Sequence, residues 1–360
     1  MEQAYSFIIT VSNEYKCSFF TFPVNLLWQS LNMKHSRWFA LSLILIFTGI
    51  LHAQDYDWSA DALPGVKINT VAFKGWIPAT QQSLRGTLVL IPGRHGDGRG
   101  MADDPRWQAL ATDINFAVIG CQFTNGEPFD YQNDSKGEVA RSINTAVEHL
   151  SKESNHPELA KAPLAFWGTS AGSNVSARYC THFPRRVIAF ASSKGTMGPS
   201  GDMPSGKAEI PMFFALGAKD KPDWLQASQS NIGNGIKLHA PWTLAFQKNE
   251  GHDVGRSLDV AIPFLKATIT LRFAPPATGS GAGSSSSIFK TQLPTLGQTT
   301  PIGATAPAAQ LHKIDVHAGW LGNPETFDVA RYSEFKGDRN KAMWLPDETT
   351  ALAWKQYLAQ

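Results

Sequence analysis

Cysteine is scarce in this chain, with three residues in 360. So few thiols exclude a disulfide-stapled scaffold. A strong charge of either sign is also missing. Lysine and arginine total 32 against 30 aspartates and glutamates, a formal net charge of +2. That balance, with no lysine- or arginine-rich run, excludes nucleic acid as an expected partner. Long apolar runs are lacking too. The most apolar stretch, Trp38 to Leu51, has 14 residues, short of the ~18 that suggest a membrane span. No glycine-rich loop ends in Gly-Lys-Ser or Gly-Lys-Thr, and no G-x-G-x-x-G opens a helix, which speaks against a nucleotide-phosphate site. Asp97, Asp103 and Asp104 do not match a calcium loop. No internal repeat is present.

What remains is a globular composition, 42% hydrophobic and 17% charged, with enough length for one large domain or two small ones. Most of the eleven tryptophans are expected in packing, and some in a substrate cleft. The first fifty or so residues stand apart. A basic flank, Met33-Lys34-His35-Ser36-Arg37, precedes the apolar stretch, and Ala53 supplies a small residue at a cut site. This is the layout of a secretory signal peptide over residues 1–53. Met1 to Asn32 then reads as an extension upstream of a start at Met33. The expected location is secreted or periplasmic, with no membrane contact after cleavage.

The most informative segment is Gly168-Thr169-Ser170-Ala171-Gly172. It follows the apolar run Leu164-Ala165-Phe166-Trp167 and precedes a helix-compatible stretch, Asn174 to Cys180. A nucleophile elbow of the G-x-S-x-G type needs this strand–turn–helix setting. Its glycines let strand and helix approach around a tight turn, which leaves the serine hydroxyl exposed. A hydroxyl needs a general base, and the base needs an orienting group. Two later strands end in candidates. Ile210 to Gly217 runs into Ala218-Lys219-Asp220, and Trp242 to Gln247 runs into Glu250-Gly251-His252-Asp253. Both candidates fall just past the C-terminal end of a strand, the edge where open α/β sheets build sites. Asp223 competes with Asp220, but Asp220 lies nearer the strand end. His239 precedes its strand and His95 lies upstream, so His252 is the preferred base. Asp253 reads as a surface charge.

With this serine–acid–histidine order the chain resembles the α/β-hydrolase superfamily over about residues 66–272. Within it, the chain is most similar to secreted bacterial esterases of the feruloyl-esterase, acetyl-esterase and polyhydroxybutyrate-depolymerase type. The resemblance implies a mainly parallel sheet with helices on both faces. It implies Ser170 as nucleophile, His252 as base and Asp220 as the third member of a triad. It also implies an oxyanion hole built from the N–H of Ala171 and one N–H from the loop after the third strand. That strand is Arg85 to Ile91, and Pro92-Gly93-Arg94-His95-Gly96 follows it. The family has His-Gly where this chain has Pro92-Gly93. By position the donor is Arg94, with His95 as the alternative.

Further elements follow from periodicity. Val66 to Ile77 gives one or two early strands, and Phe116 to Gly120 another that ends at Cys121. Glu138 to Leu150 carries an apolar stripe at helical spacing. Val187 to Ser192 reads as a strand. Val254 to Leu271 reads as a closing helix that Pro263 should kink or interrupt. The stretches from Ser192 to Pro211 and from Asp220 to Trp242 show no strong period and can reach the site rim. Cys180 sits about 15 Å along its helix at ~1.5 Å per residue. Cys121 stays near the site edge, so a bridge, which needs Cα atoms within about 7 Å, is not expected.

The hydrolase domain is expected over 54–273. A linker rich in Pro, Gly, Ser and Thr spans 274–310. The C-terminal segment 311–360 is too small for a core of its own, so it should pack back on the domain. Its last helix is expected from Asp347 to Leu358. Exposed tryptophans on a small polysaccharide-binding module are the other reading of this segment. The expected function is a secreted serine hydrolase acting on carboxylic esters, free or polymer-linked, with no cofactor or metal. A peptidase of related fold and a non-catalytic carbohydrate-binding scaffold are the alternatives.

Overall fold

The apolar runs that read as buried strands lie side by side. The computed structural model describes residues 52–60, 68–80, 82–125, 137–195, 209–273 and 311–360, and these form one compact unit. Eight strands make the main sheet: β1 (Gln54–Ala60), β2 (Ile68–Ile77), β3 (Gly86–Ile91), β4 (Phe116–Asn125), β5 (Leu164–Thr169), β6 (Val187–Ser193), β7 (Met212–Gly217) and β8 (Trp242–Gln247). Their order is β1-β2-β4-β3-β5-β6-β7-β8. β2 is antiparallel to β1 and to β4, and every other pairing in the sheet is parallel. The central strands β3, β6 and β7 are buried along their whole length, which is why they read as unbroken apolar runs.

Side chains alternate across the sheet. Val89, Ile91 and Phe166 face one layer, formed by α2 (Glu138–Glu153), α3 (Ala171–His182) and the buried Ile232 of α4 (Pro222–Lys237). Leu88, Leu90 and Trp167 face the other, formed by α1 (Pro105–Ile114), α5 (Leu258–Phe273) and α6 (Glu348–Leu358). The expected α/β sheet with helices on both faces is the observed architecture.

Several local expectations need correction. β1 was not foreseen. It is half polar and mostly exposed, and among its described side chains Tyr56 and Trp58 turn toward the core, Trp58 stacking on Phe73 at 5.6 Å. Two helices were also missed. Pro105 opens α1 behind the N-cap Asp104, whose side chain accepts the Arg106 N–H. α4 fills the segment read as lacking a period. Its glycines dilute the pattern, yet one is required for packing, because a Cβ on Gly235 would lie 2.1 Å from the Trp242 ring. α5 begins at Leu258, later than expected, and continues through Pro263 without interruption. Cys121 and Cys180 are buried and not disulfide-bonded, and burial pushes the Cys121 thiol well above its usual value. Residues 1–51 of the expected signal peptide, the expected linker 274–310 and most of the loop between Ser193 and Ile210 lie outside the described residues.

The C-terminal segment packs on the sheet edge. β9 (Trp320–Gly322), β10 (Val329–Arg331) and β11 (Met343–Leu345) form a small antiparallel sheet in the order β10-β9-β11. Thr243 Oγ1 donates to the Trp344 carbonyl, and Trp354 Nε1 donates to the Leu244 carbonyl at 2.9 Å. Trp344 and Trp354 are buried, so neither forms an exposed platform. The segment's entry is tied to the end of α5, where the His312 N–H donates to the Arg272 carbonyl at 2.9 Å. Asp347 caps α6 by accepting the Thr350 N–H. Truncating Trp354 to Ala is expected to cost about 3–5 kcal/mol, read as a fall in the urea midpoint. An unchanged midpoint would show that the segment adds nothing to the body's stability.

Candidate active site

Ser170 stands between β5 and α3 at φ 51°, ψ −120°, a backbone region that non-glycine residues seldom occupy. Such a conformation costs on the order of 1–3 kcal/mol and persists only where its surroundings over-determine it. Here they do. A Cβ on Gly168 would lie 2.5 Å from the Gly172 carbonyl oxygen, and one on Gly172 would lie 2.2 Å from the Ile91 carbonyl oxygen. Both positions therefore require glycine. The Ser170 N–H donates to the Ser193 carbonyl at 2.9 Å. Beneath it, Ser173 Oγ donates to the Gly168 carbonyl at 2.6 Å and accepts from Ser192 Oγ at 2.9 Å.

Asp220 follows β7, and His252 follows β8. The two loops touch: a Cβ on Gly217 would lie 2.3 Å from the Gly251 carbonyl oxygen. The Lys219 N–H donates to the Glu250 carbonyl at 2.9 Å. Asp220 Oδ1 accepts the Lys221 N–H at 2.8 Å, and Oδ2 meets His252 Nδ1 at 2.7 Å. His252 Nε2 in turn meets Ser170 Oγ at 2.7 Å. An ionised carboxylate can only accept, so Nδ1 carries the imidazole proton. Nε2 is then the acceptor for the Ser170 hydroxyl. The Asp220 side chain is 5% exposed, whereas that of His252 is 37% exposed. The carboxylate is enclosed and the imidazole reaches solvent.

The structure thus brings Ser170, His252 and Asp220 into one hydrogen-bonded line. Asp223 is exposed in the first turn of α4. His239 lies before β8, at the opposite edge of the sheet, and Asp253 is exposed. Ala171 is the first residue of α3, where a backbone N–H lacks an intrahelical acceptor. The loop holding Arg94 and His95 runs beside the serine, and a Cβ on Gly93 would lie 3.5 Å from Ser170 Cβ.

Two features escaped the sequence reading. Trp224, on α4, packs its ring 4.8 Å from the His252 imidazole, and Lys221 Nζ lies 4.3 Å over the indole. The second is a buried ion pair behind the site. The Lys194 side chain is 0% exposed, and its Nζ donates to Glu250 Oε2 at 2.5 Å. The Tyr357 hydroxyl donates to the same oxygen, and the Arg256 N–H donates to Oε1 at 3.2 Å. Burial alone would raise the Glu250 carboxyl. The hydrogen bonds from Lys194 and Tyr357 outweigh it and hold the group below its usual value. Burial, and then the bond to Glu250, push the Tyr357 phenol well above its usual range, so it stays a donor.

No protein-family model and no curated protein matches the chain. Solved structures similar to it include a ferulic acid esterase, at 10% identity over 61% of this chain and 98% of that one, with a TM-score of 0.48. The dienelactone hydrolase from Anabaena variabilis has 15% identity over 61% and 97%, with a TM-score of 0.43. A bacterial heroin esterase has 13% identity over 65% and 88%, with a TM-score of 0.43. Among the described residues no cluster of side chains suits a metal ion, and no helix is long and apolar enough to cross a membrane.

Replacing Glu250 by Gln leaves the buried Lys194 ammonium without its counter-charge, an expected loss of about 3 kcal/mol at neutral pH. Because the Glu250 pKa is depressed on folding, its contribution is complete above the ordinary value of 4.5. It fades as pH falls through the lowered value. The gap in Tm between wild type and Glu250→Gln should therefore be wide at pH 7 and shrink as pH falls below 4.5. A gap independent of pH would mean that Glu250 is not the counter-ion.

Proposed function

We propose that this protein is a serine hydrolase that cleaves carboxylic esters through a covalent acyl-enzyme. The observation that carries this reading is the line from Ser170 through His252 to Asp220, both links 2.7 Å long. It is anchored on a serine held in a strained turn. Ser170 Oγ attacks the acyl carbonyl carbon while its proton passes to His252 Nε2. Asp220 keeps the imidazole in the required tautomer and stabilises its charged form. The oxyanion is met by the N–H of Ala171, at the positive end of α3, and by the N–H of Arg94 from the neighbouring loop. His252 then returns the proton to the leaving alkoxide as the C–O bond breaks. Water, deprotonated by the same imidazole, attacks the acyl-enzyme and releases the acid. No step calls on a metal or cofactor. Trp224 sets an aromatic ring beside His252, suited to an apolar or planar portion of the ester.

Ser170→Ala is expected to lower ester turnover by about 10⁴- to 10⁶-fold with the fold intact, and Asp220→Asn by about 10⁴-fold. Asp223→Asn should change little. A fluorophosphonate probe should label wild type and spare Ser170→Ala. Near-native turnover by a folded Ser170→Ala protein would end this mechanism.

The same reading includes export. The basic flank Lys34–Arg37, the 14-residue apolar stretch that follows and Ala53 support a cleaved leader and an ester encountered outside the cytoplasm. The mature chain should begin near Gln54, and N-terminal sequencing of protein recovered outside the cytoplasm checks this. A retained Met1 or Met33 would contradict it.

A further inference from the structure

A cavity of about 240 Å³ lies at the opposite edge of the sheet from Ser170, where the C-terminal segment meets the start of β8. Its floor is apolar, formed by the buried Trp242, Trp344 and Leu321. Both indole N–H groups are engaged elsewhere. Trp242 Nε1 donates to the Ile210 carbonyl at 3.0 Å, and Trp344 Nε1 to the Val316 carbonyl at 3.1 Å. The rings therefore offer aromatic surface rather than hydrogen bonds.

The rim is basic. His239, His317 and Arg339 line it, and no Asp, Glu, Asn or Gln is among the described residues that do. Tyr332 braces two of these groups. The Arg339 guanidinium carbon lies 4.9 Å from the Tyr332 ring centroid, and Arg339 Nη2 donates to the Tyr332 carbonyl at 3.1 Å. The His317 ring meets the same Tyr332 edge-on at 4.7 Å. Asp315 engages Nδ1 of His317 at 3.1 Å, which leaves Nε2 as the nitrogen able to meet a ligand. His239 sits at φ 53°, a left-handed conformation uncommon outside glycine.

We propose that this cavity binds a small planar aromatic carboxylate. Pockets for drug-sized ligands run to roughly 300–1,000 Å³, so this one admits a single ring with a short substituent and excludes an oligosaccharide. A sugar also needs polar partners along both faces, and the engaged indoles of the floor offer none. An aromatic ring suits the indole and phenol walls. A carboxylate suits the guanidinium fork and the imidazoles at the mouth. The proposal is independent of the chemistry assigned to Ser170.

Calorimetric titration of the whole chain with 4-hydroxybenzoate tests it. Saturable binding at one site is expected, with 4-hydroxybenzyl alcohol and cyclohexanecarboxylate each at least about tenfold weaker. Arg339 is exposed, so Arg339→Met should leave the fold intact and weaken the aryl carboxylate by a similar factor. Leu321→Trp should fill the cavity and abolish binding. Ser170→Ala should bind as wild type does. Absence of saturable binding, equal affinity for the uncharged or non-aromatic probe, unchanged affinity in Arg339→Met, or loss of binding in Ser170→Ala would each overturn the proposal.

Discussion

A lysine enclosed by protein is tolerable only beside an opposite charge, and for Lys194 that charge is Glu250. The pair joins the two halves of the candidate site. Lys194 directly follows Ser193, whose carbonyl accepts the Ser170 N–H. Glu250 stands two residues before His252, and its own carbonyl accepts the Lys219 N–H next to Asp220. One side chain from just past the end of β6 and one from the loop after β8 thereby fix the spacing that the serine–imidazole contact needs. The Tyr357 hydroxyl completes the enclosure, bringing the C-terminal helix into the support of the site.

The same loop is held from its other side. Gln247 Nε2 donates to the Tyr357 carbonyl at 3.2 Å, and Asn249 Nδ2 donates to the Gln360 carbonyl at 2.7 Å. The strain at Ser170 and the contact to His252 thus rest on a frame built from β5, β6, β8 and α6. Positioning of this kind matters because a reacting group displaced by about 1 Å can lose about a hundredfold in rate.

Much of this was legible in the sequence, for identifiable reasons. Buried parallel strands read as continuous apolar runs, so β3, β5, β6, β7 and β8 were located from their residues alone. The elbow was legible because Gly168 and Gly172 answer a steric demand that their neighbours create. β1, α1 and α4 were not. β1 carries few core side chains, α1 lies beyond the loop that starts at Pro92, in a stretch given no element from the sequence, and α4 contains glycines that dilute its period, of which Gly235 is required by packing. Trp224 went unseen with its helix. The Lys194–Glu250 pair spans 56 positions, a separation at which one sequence gives no sign that two charges meet. The three strands of the C-terminal sheet are three residues each, too short for a period to show.

The bond from His312 to the end of α5 has a further consequence. It fixes the two points between which residues 274–310 run, whatever their number. The entropy of closing a loop grows only as the logarithm of its length, about 0.6 kcal/mol for each doubling. Insertions, deletions or a grafted module at this place therefore meet little thermodynamic resistance, provided that Arg272 and His312 keep their bond.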